Sequence, residues 1–292
     1  MIRQSVIVFS IISIIVSWAC HDAIALSAPD IYLSSDRIFQ GDLILIRVKA
    51  EGGGKVRVKW LGKEISLIAN PDGTFWRGFL AADLNEKPGN YKAVVNVSPS
   101  GYKKQFEIEV VHKDYGVRTL TLPKEMVELD KKTLKRVRKE SDIINGLWEA
   151  PASAPVWSDF FMRPVDGDVI GPFGTGSIIN NQPRSPHTGV DLMGEEGTPV
   201  KAINDGKVIL ICDHFFTGKS IFLDHGGEVI SMYFHLKEID VKQDHMVHKG
   251  QIIGLVGSTG RATGPHLHWG IRVNGARINP LSLIDLSRES EE

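Results

Sequence analysis

Apolar and polar residues alternate with a period of two along most of this chain, and the pattern shifts to helical spacing once. Lys55-Val56-Arg57-Val58-Lys59-Trp60 and Phe106-Glu107-Ile108-Glu109-Val110 alternate strictly, as strands with one buried face do. Leu43-Ile44-Leu45-Ile46-Arg47-Val48 and Tyr91-Lys92-Ala93-Val94-Val95-Asn96-Val97 read as further strands. Glu51-Gly52-Gly53-Gly54, Asn70-Pro71-Asp72-Gly73 and Lys87-Pro88-Gly89-Asn90 punctuate them as turns. Short strands at this spacing predict an immunoglobulin-like β-sandwich over residues 26–112. Trp60 and Trp76 are expected in its core rather than on a carbohydrate-stacking surface.

From residue 113 to 155 the period changes. Leu134, Val137, Ile144 and Leu147 recur at helical spacing behind Asp130, a candidate N-cap. Lys131, Lys132, Lys135, Arg136, Arg138 and Lys139 make this predicted helix strongly basic, and Glu149 to Pro155 reads as a linker. The basic residues read first as a solvated helix face, and second as a surface for an anionic envelope polymer or lipid. Residues 156–292 return to β patterning, clearest in Gly206–Ile211, Ser220–Asp224, Val229–His235 and His266–Val273. His225-Gly226-Gly227 and Asn274-Gly275 have hairpin-turn chemistry. Strands do not alternate with helices here, so the sheet is expected to be antiparallel rather than parallel. The fold class is therefore all-β in two domains, joined by a helical basic linker.

The N-terminus reads as a separate element. Arg3 precedes an apolar run from Val6 to Val16, and Ala23-Ile24-Ala25 follows as a cleavage pattern. Those are the parts of a secretory signal peptide over residues 1–25. The run is short for a membrane span, so no integral span is expected once it is removed. Trp18 argues against lipidation at Cys20, because a lipobox prefers small residues there. The protein is expected to be exported to the periplasm or cell envelope, or secreted. Cleavage after Ala25 leaves Cys212 as the one thiol, so no intramolecular disulfide is expected. A formal net charge of −1 gives no footprint for nucleic acid.

The candidate chemistry lies in the last half of the chain. His266-Leu267-His268 places two imidazoles on one face of a strand, roughly 6–7 Å apart. His187-Thr188-Gly189-Val190-Asp191 sets a His and an Asp about 13 Å apart if extended. A bend at Gly189 is the expected way for them to converge. Imidazoles with one carboxylate are the ligand chemistry of an open, catalytic zinc site, whereas a structural site would draw on Cys. His187, Asp191 and one of the His266/His268 pair are the candidate ligands. The other member of the pair, and His235 at a strand end, are left for proton transfer or oxyanion stabilisation. That inventory suits peptide-bond hydrolysis. His112, His214, His225, His245 and His248 match no such pattern, and Ser258 and Thr259 lack a nucleophile elbow.

These motifs resemble the lysostaphin/LytM-type zinc metalloendopeptidases, whose signature is H-x-x-x-D, a later isolated His, and H-x-H. The resemblance extends to Pro172-Phe173-Gly174, Gly197-Thr198-Pro199-Val200 and the Gly250–Pro265 approach to the last motif, covering roughly residues 164–284. It implies a duplicated-hybrid-motif fold, zinc held by His187, Asp191 and His268, and His235 and His266 flanking the attacking water. It further implies hydrolysis of peptide cross-links or stems of bacterial peptidoglycan. One departure concerns substrate contacts: family members often carry an Arg shortly after Phe-Gly, where this chain has Gly176-Ser177. The competing expectation is a non-catalytic peptidoglycan-binding activator of a separate cell-wall amidase. Such relatives have typically lost metal ligands, and this chain retains all three.

Overall fold

The computed structural model describes residues 28–51, 54–121, 128–148, 153–157 and 160–289. The predicted signal peptide, Cys20, Gly52-Gly53 and residues 149–152 of the predicted linker lie outside the described residues. Among those described, no helix is long and apolar enough to cross a membrane.

The first part of the chain forms two sheets. Asp30–Leu33, Asp42–Lys49, Phe75–Ala82 and Ile68–Ala69 make one in that order, and Arg37–Phe39, Tyr102–Val111, Gly89–Ser98, Lys55–Trp60 and Lys63–Ser66 make the other. Alternation decides their facing. In Lys55–Trp60 the two valines and Trp60 are buried, and the three basic residues are exposed. Trp60 and Trp76 sit in the core between the sheets, with Trp60 Nε1 donating to the Ala81 carbonyl at 2.8 Å. Neither ring is available to stack on a sugar.

Asp42–Lys49 and Phe75–Ala82 are buried on both faces. Ile44, Ile46, Trp76 and Leu80 point between the two sheets, while Leu43, Leu45, Phe79 and Ala81 join the core of the C-terminal sheet. Polar contacts fasten the same junction. Arg277 clamps the Asp83 carboxylate through Nε and Nη2 at 3.0 and 2.5 Å, and Asn279 N donates to the Gly41 carbonyl at 2.7 Å. A bidentate charge pair of this kind fixes orientation as well as adding attraction.

The connecting region holds the expected helix, Lys131–Leu147, whose first turn is capped by Asp130 Oδ1 accepting from Thr133 N at 2.6 Å. It also holds a strand that the helical reading did not include. Val117–Leu120 pairs in parallel with Gly176–Ile179, which pairs in turn with Gln182–Arg184. The helix docks through its polar side: Arg136 Nη2 donates to the Asp213 carbonyl, and Glu140 accepts from Phe215 N.

The C-terminal sheet is antiparallel throughout. Its strand order is Val169–Gly171, Val190–Met193, His266–Val273, Val229–Ile239, Gly218–Asp224, Gly206–His214 and Met246–Val247, with Pro199–Lys201, Ile252–Val256 and Ala276–Ile278 paired off that path. Asn274 and Gly275 turn the last hairpin with φ of 52° and 74°, the left-handed pair that a tight two-residue turn requires. Tyr233, Leu267, Trp269 and Ile271 face the core, which the C-terminal helix Pro280–Glu289 closes with Leu283 and Ile284. The opposite face carries the imidazoles.

One histidine away from that face is a structural group. His225 is wholly buried, with Nδ1 donating to the Asp205 carbonyl and Nε2 against Ser231 Oγ, both at 2.7 Å. Burial lowers its pKa from 6.5 to about 4. The folded ring stays neutral, so as pH falls below 6.5 the unfolded chain binds a proton that the folded chain does not. Stability is full above that pH and declines towards pH 4, by about 3 kcal/mol for this group. Urea unfolding at pH 7.5 and 4.5 measures the loss. The His225→Gln protein should be less stable at pH 7.5 and show a shallower decline.

Candidate metal centre and the groove around it

Three strands and a loop bring the predicted site residues together. Asp191 and His268 are direct cross-strand partners, and His266 projects from the same face two residues earlier. His187 arrives from the loop before Val190–Met193. Gly189 permits that approach, because a Cβ there would strike the Trp269 carbonyl and the His268 ring. Gly171 serves the same end across the strand, where a Cβ would overlap the Asp191 carboxylate.

The three donor atoms form a tight triangle. His187 Nε2 lies 3.0 Å from Asp191 Oδ1, His268 Nδ1 lies 2.9 Å from the same oxygen, and the two nitrogens are 2.9 Å apart. His187 Nδ1 meanwhile donates to the Pro172 carbonyl at 2.9 Å. With Nδ1 taken up by that bond, Nε2 points at another imidazole nitrogen and a carboxylate oxygen. Such a cluster is stable only with a positive charge at its centre, either a proton or a metal ion. Two imidazoles and a carboxylate with an open side are the donor set of a catalytic zinc site. A tetrahedron with arms of 2.0–2.1 Å has edges of about 3.4 Å, so zinc fits after a slight spreading of the triangle. Among the described residues, His187, Asp191 and His268 are the one such group of His, Cys, Asp and Glu.

The electrostatics agree with the geometry. Burial pushes the Asp191 carboxyl upwards, but the hydrogen bonds and charges of His187 and His268 outweigh it and hold the group well below the usual carboxylate range. Burial lowers the pKa of His268 against the pull of Asp191. The His268 ring stacks on Phe234, with centroids 5.2 Å apart and planes 6° from parallel.

His235 and His266 stand beside the triangle, their centroids 4.9 Å apart. His266 Nδ1 donates to the Gly264 carbonyl at 2.8 Å, and its Nε2 lies 3.8 Å from Asp191 Oδ1. His235 Nδ1 donates to the Thr259 carbonyl at 2.8 Å. Strict alternation would send His235 to the core side, because its neighbour Phe234 shares the face of His268. A left-handed backbone at His235, φ 63°, turns the ring back towards the groove. Burial first, and the neighbouring imidazoles second, lower its pKa to about 4, so it is neutral at pH 7.

Sequence reasoning missed the groups that orient these rings. Pro172, Thr259 and Gly264 act through backbone carbonyls, which carry no side-chain signal. Thr259 is further fixed by Oγ1, which donates to Leu236 O and accepts from Lys219 N. Where the departure at Gly176-Ser177 left no arginine, Arg118 of the unexpected strand donates Nε to Ser177 Oγ at 3.2 Å. Of the other histidines among the described residues, none enters the cluster.

Comparison with known proteins points to the same segment. The profile described as Peptidase family M23 matches residues 185–280. A crystal structure from Pseudomonas aeruginosa, described as a peptidase M23, superposes with a TM-score of 0.64 at 34% identity. That match covers 83% of this chain and 93% of the other. The peptidoglycan DD-endopeptidase ShyA of Vibrio cholerae is 41% identical over 97 residues, which are 33% of this chain and 23% of that protein. The DD-carboxypeptidase/endopeptidase Mpg of Neisseria meningitidis is also 41% identical over 97 residues, 33% of this chain and 22% of its own. The matched stretch thus spans less than a quarter of either curated relative. Fold, donor set and relatives together define a metallopeptidase. The chain belongs to peptidase family M23.

Proposed function

We propose that this protein is a zinc endopeptidase that hydrolyses peptide cross-links or stems of bacterial peptidoglycan. The observation that carries the reading is the triangle of His187, Asp191 and His268 flanked by two imidazoles whose Nδ1 protons are already committed. His187 Nε2, Asp191 Oδ1 and His268 Nδ1 would hold the metal. When bound there, zinc supplies Lewis-acid polarisation of a peptide carbonyl and lowers the pKa of water. The chain's own groups do the rest. His235, neutral at pH 7 and tied at Nδ1, keeps Nε2 free to accept a proton. His266, tied in the same way to Gly264, stands next to His235 at the edge of the cluster and would steady developing charge or pass a proton to the leaving amine. The Pro172, Gly264 and Thr259 carbonyls fix ring orientation and tautomer, as outer partners of metal-site histidines commonly do.

Peptidoglycan as substrate is supported by the name of one relative, the peptidoglycan DD-endopeptidase ShyA. The same reading assigns residues 1–25 to an export signal, 26–112 to an immunoglobulin-like domain, 113–155 to a connector and 156–292 to the peptidase. The strand order of the two N-terminal sheets, with Arg37–Phe39 parallel to Tyr102–Val111, supports the immunoglobulin-like assignment. On this reading the protein is exported and acts in the periplasm or cell envelope, or is secreted.

The test is incubation of zinc-loaded protein with sacculi, one preparation cross-linked through D-Ala–diaminopimelate and another through glycine bridges. Mass spectrometry of the released fragments should show new peptide termini from one of them. Protein carrying one zinc per chain that releases nothing from either, yet stimulates an amidase, would overturn the hydrolase reading.

A further inference from the structure

Two arginines that the metal chemistry does not use stand on the loops that carry the site. Arg184 ends the strand Gln182–Arg184, three residues before His187, and is the cross-strand partner of Ser177. His187 N donates to the Thr175 carbonyl at 3.0 Å. The Arg184 rung therefore lies two residues, or about 7 Å, from the point where the His187 loop is fastened. Arg261 follows Thr259 by two residues, and the Thr259 carbonyl holds the His235 ring. Arg261 N donates to the Phe216 carbonyl, and the next carbonyl, that of Thr217, accepts from His235 N, both at 2.9 Å. One arginine thus enters from the His187 side of the imidazole cluster and the other from the His235 side.

Both guanidiniums are held in place without an acidic partner. Arg184 Nη2 donates to Gln182 Oε1 at 2.7 Å, and the Arg261 guanidinium lies 4.2 Å from the centroid of the Phe216 ring. Among the described residues, no carboxylate pairs with either. They sense one another instead: burial first, and the Arg184 charge second, lower the pKa of Arg261. Loops that flank the cluster on two sides therefore bring their positive charges together at its mouth. A third guanidinium stands in the same row of the small sheet, where Arg118 Nε donates to Ser177 Oγ at 3.2 Å. Like charges repel, and desolvation disfavours each of them further. An anion between the two relieves both costs, and the planar fork of a guanidinium matches a carboxylate.

We propose that Arg184 and Arg261 clamp a free carboxylate of the substrate beside the scissile bond, and so select which cross-link is cut. On the acyl side of an amide the carboxyl is consumed in the bond itself. The nearest free carboxylate is therefore one on the carbon that bears the scissile nitrogen. A D-Ala–diaminopimelate cross-link has that group. A glycine bridge does not, because the carboxyl of each glycine is tied into the next amide. The clamp thus favours the first chemistry over the second. The substrate role rests on the hydrolase reading above; the affinity of the arginine pair for a carboxylate does not.

The test uses two purified muropeptide dimers joined by a D-Ala–diaminopimelate bond. One has the carboxylate beside the scissile nitrogen free, and the other has it amidated. Zinc-loaded full-length protein should cleave the free dimer with kcat/KM at least about tenfold above that for the amidated one, the worth of one charge-assisted hydrogen bond. Arg184→Gln and Arg261→Gln should each raise KM for the free dimer about tenfold, with kcat within about threefold and the amidated dimer unaffected. Arg184→Lys and Arg261→Lys should restore part of the loss, because a point charge remains. Arg184, exposed at a strand end, serves as the readout if Arg261→Gln fails to fold by circular dichroism. Calorimetry on the full-length Asp191→Ala protein, altered in neither arginine's loop, reads binding without turnover, and the free dimer should again bind about tenfold tighter. Equal cleavage of the two dimers, or binding that is equal or absent, overturns the clamp even if hydrolysis is observed. Charge-dependent binding without any hydrolysis keeps the clamp and removes the hydrolase reading.

Discussion

Asp191→Ala should abolish zinc binding and hydrolysis together. Its carboxylate is the hub of the donor triangle, 3.0 Å from His187 Nε2 and 2.9 Å from His268 Nδ1. Without it two imidazoles remain, one donor short of the three that a catalytic zinc site uses. The substitution also leaves those rings facing one another across a hole, so apo protein should survive while metal affinity collapses. Lewis-acid assistance contributes several kcal/mol at the transition state, and each 1.4 kcal/mol is tenfold in rate. Activity should therefore fall at least about 1,000-fold. Elemental analysis of the purified variant checks the metal directly. A second measure needs no substrate, because zinc added to the native chain should raise its Tm by mass action, and the variant should lose that shift. Zinc near one per chain, with hydrolysis within tenfold of native, would remove Asp191 from the ligand set.

His235→Ala should separate the two properties, keeping zinc and losing turnover. The ring stands outside the donor triangle, its centroid 6.2 Å from that of His268, so removing it deletes no ligand. What it deletes, on the proposed reading, is the neutral base aimed by the Thr259 carbonyl. Proton transfer by a positioned side chain is worth roughly 10²–10⁴-fold, and kcat should drop by about that factor with zinc content unchanged. His235→Gln fills part of the space without the basicity and should recover little. A variant that loses zinc as completely as Asp191→Ala would instead make His235 part of the metal's own shell.

The parts of the fold legible in the sequence are those set by local chemistry. Lys55–Trp60 announces its buried face through strict alternation, Asp130 announces a helix start, and Asn274-Gly275 announces a tight turn. The candidate site was visible because imidazoles two apart and a His and an Asp around a glycine are unusual combinations. Other features depend on partners far along the chain. Val117–Leu120 pairs with a segment some sixty residues later, and nothing in Val-Arg-Thr-Leu marks it as a strand. The unbroken apolar run Leu43–Ile46 does signal burial on both faces, but not what covers the second one. The turn of His235 into the groove reverses what alternation with Phe234 implies, and only its positive φ reveals why. The carbonyls of Pro172, Thr259 and Gly264 are invisible by nature, since every residue carries one.

The double-sided burial of Asp42–Lys49 has a practical corollary for anyone dissecting the molecule. Severing the chain at the connector would strand Leu43, Leu45, Phe79 and Ala81 on one fragment and the greasy patch they cover on the other. Each piece would then show water a contiguous oily surface of the kind that drives aggregation. A shortened enzyme that performs poorly would report a torn seam rather than a missing function.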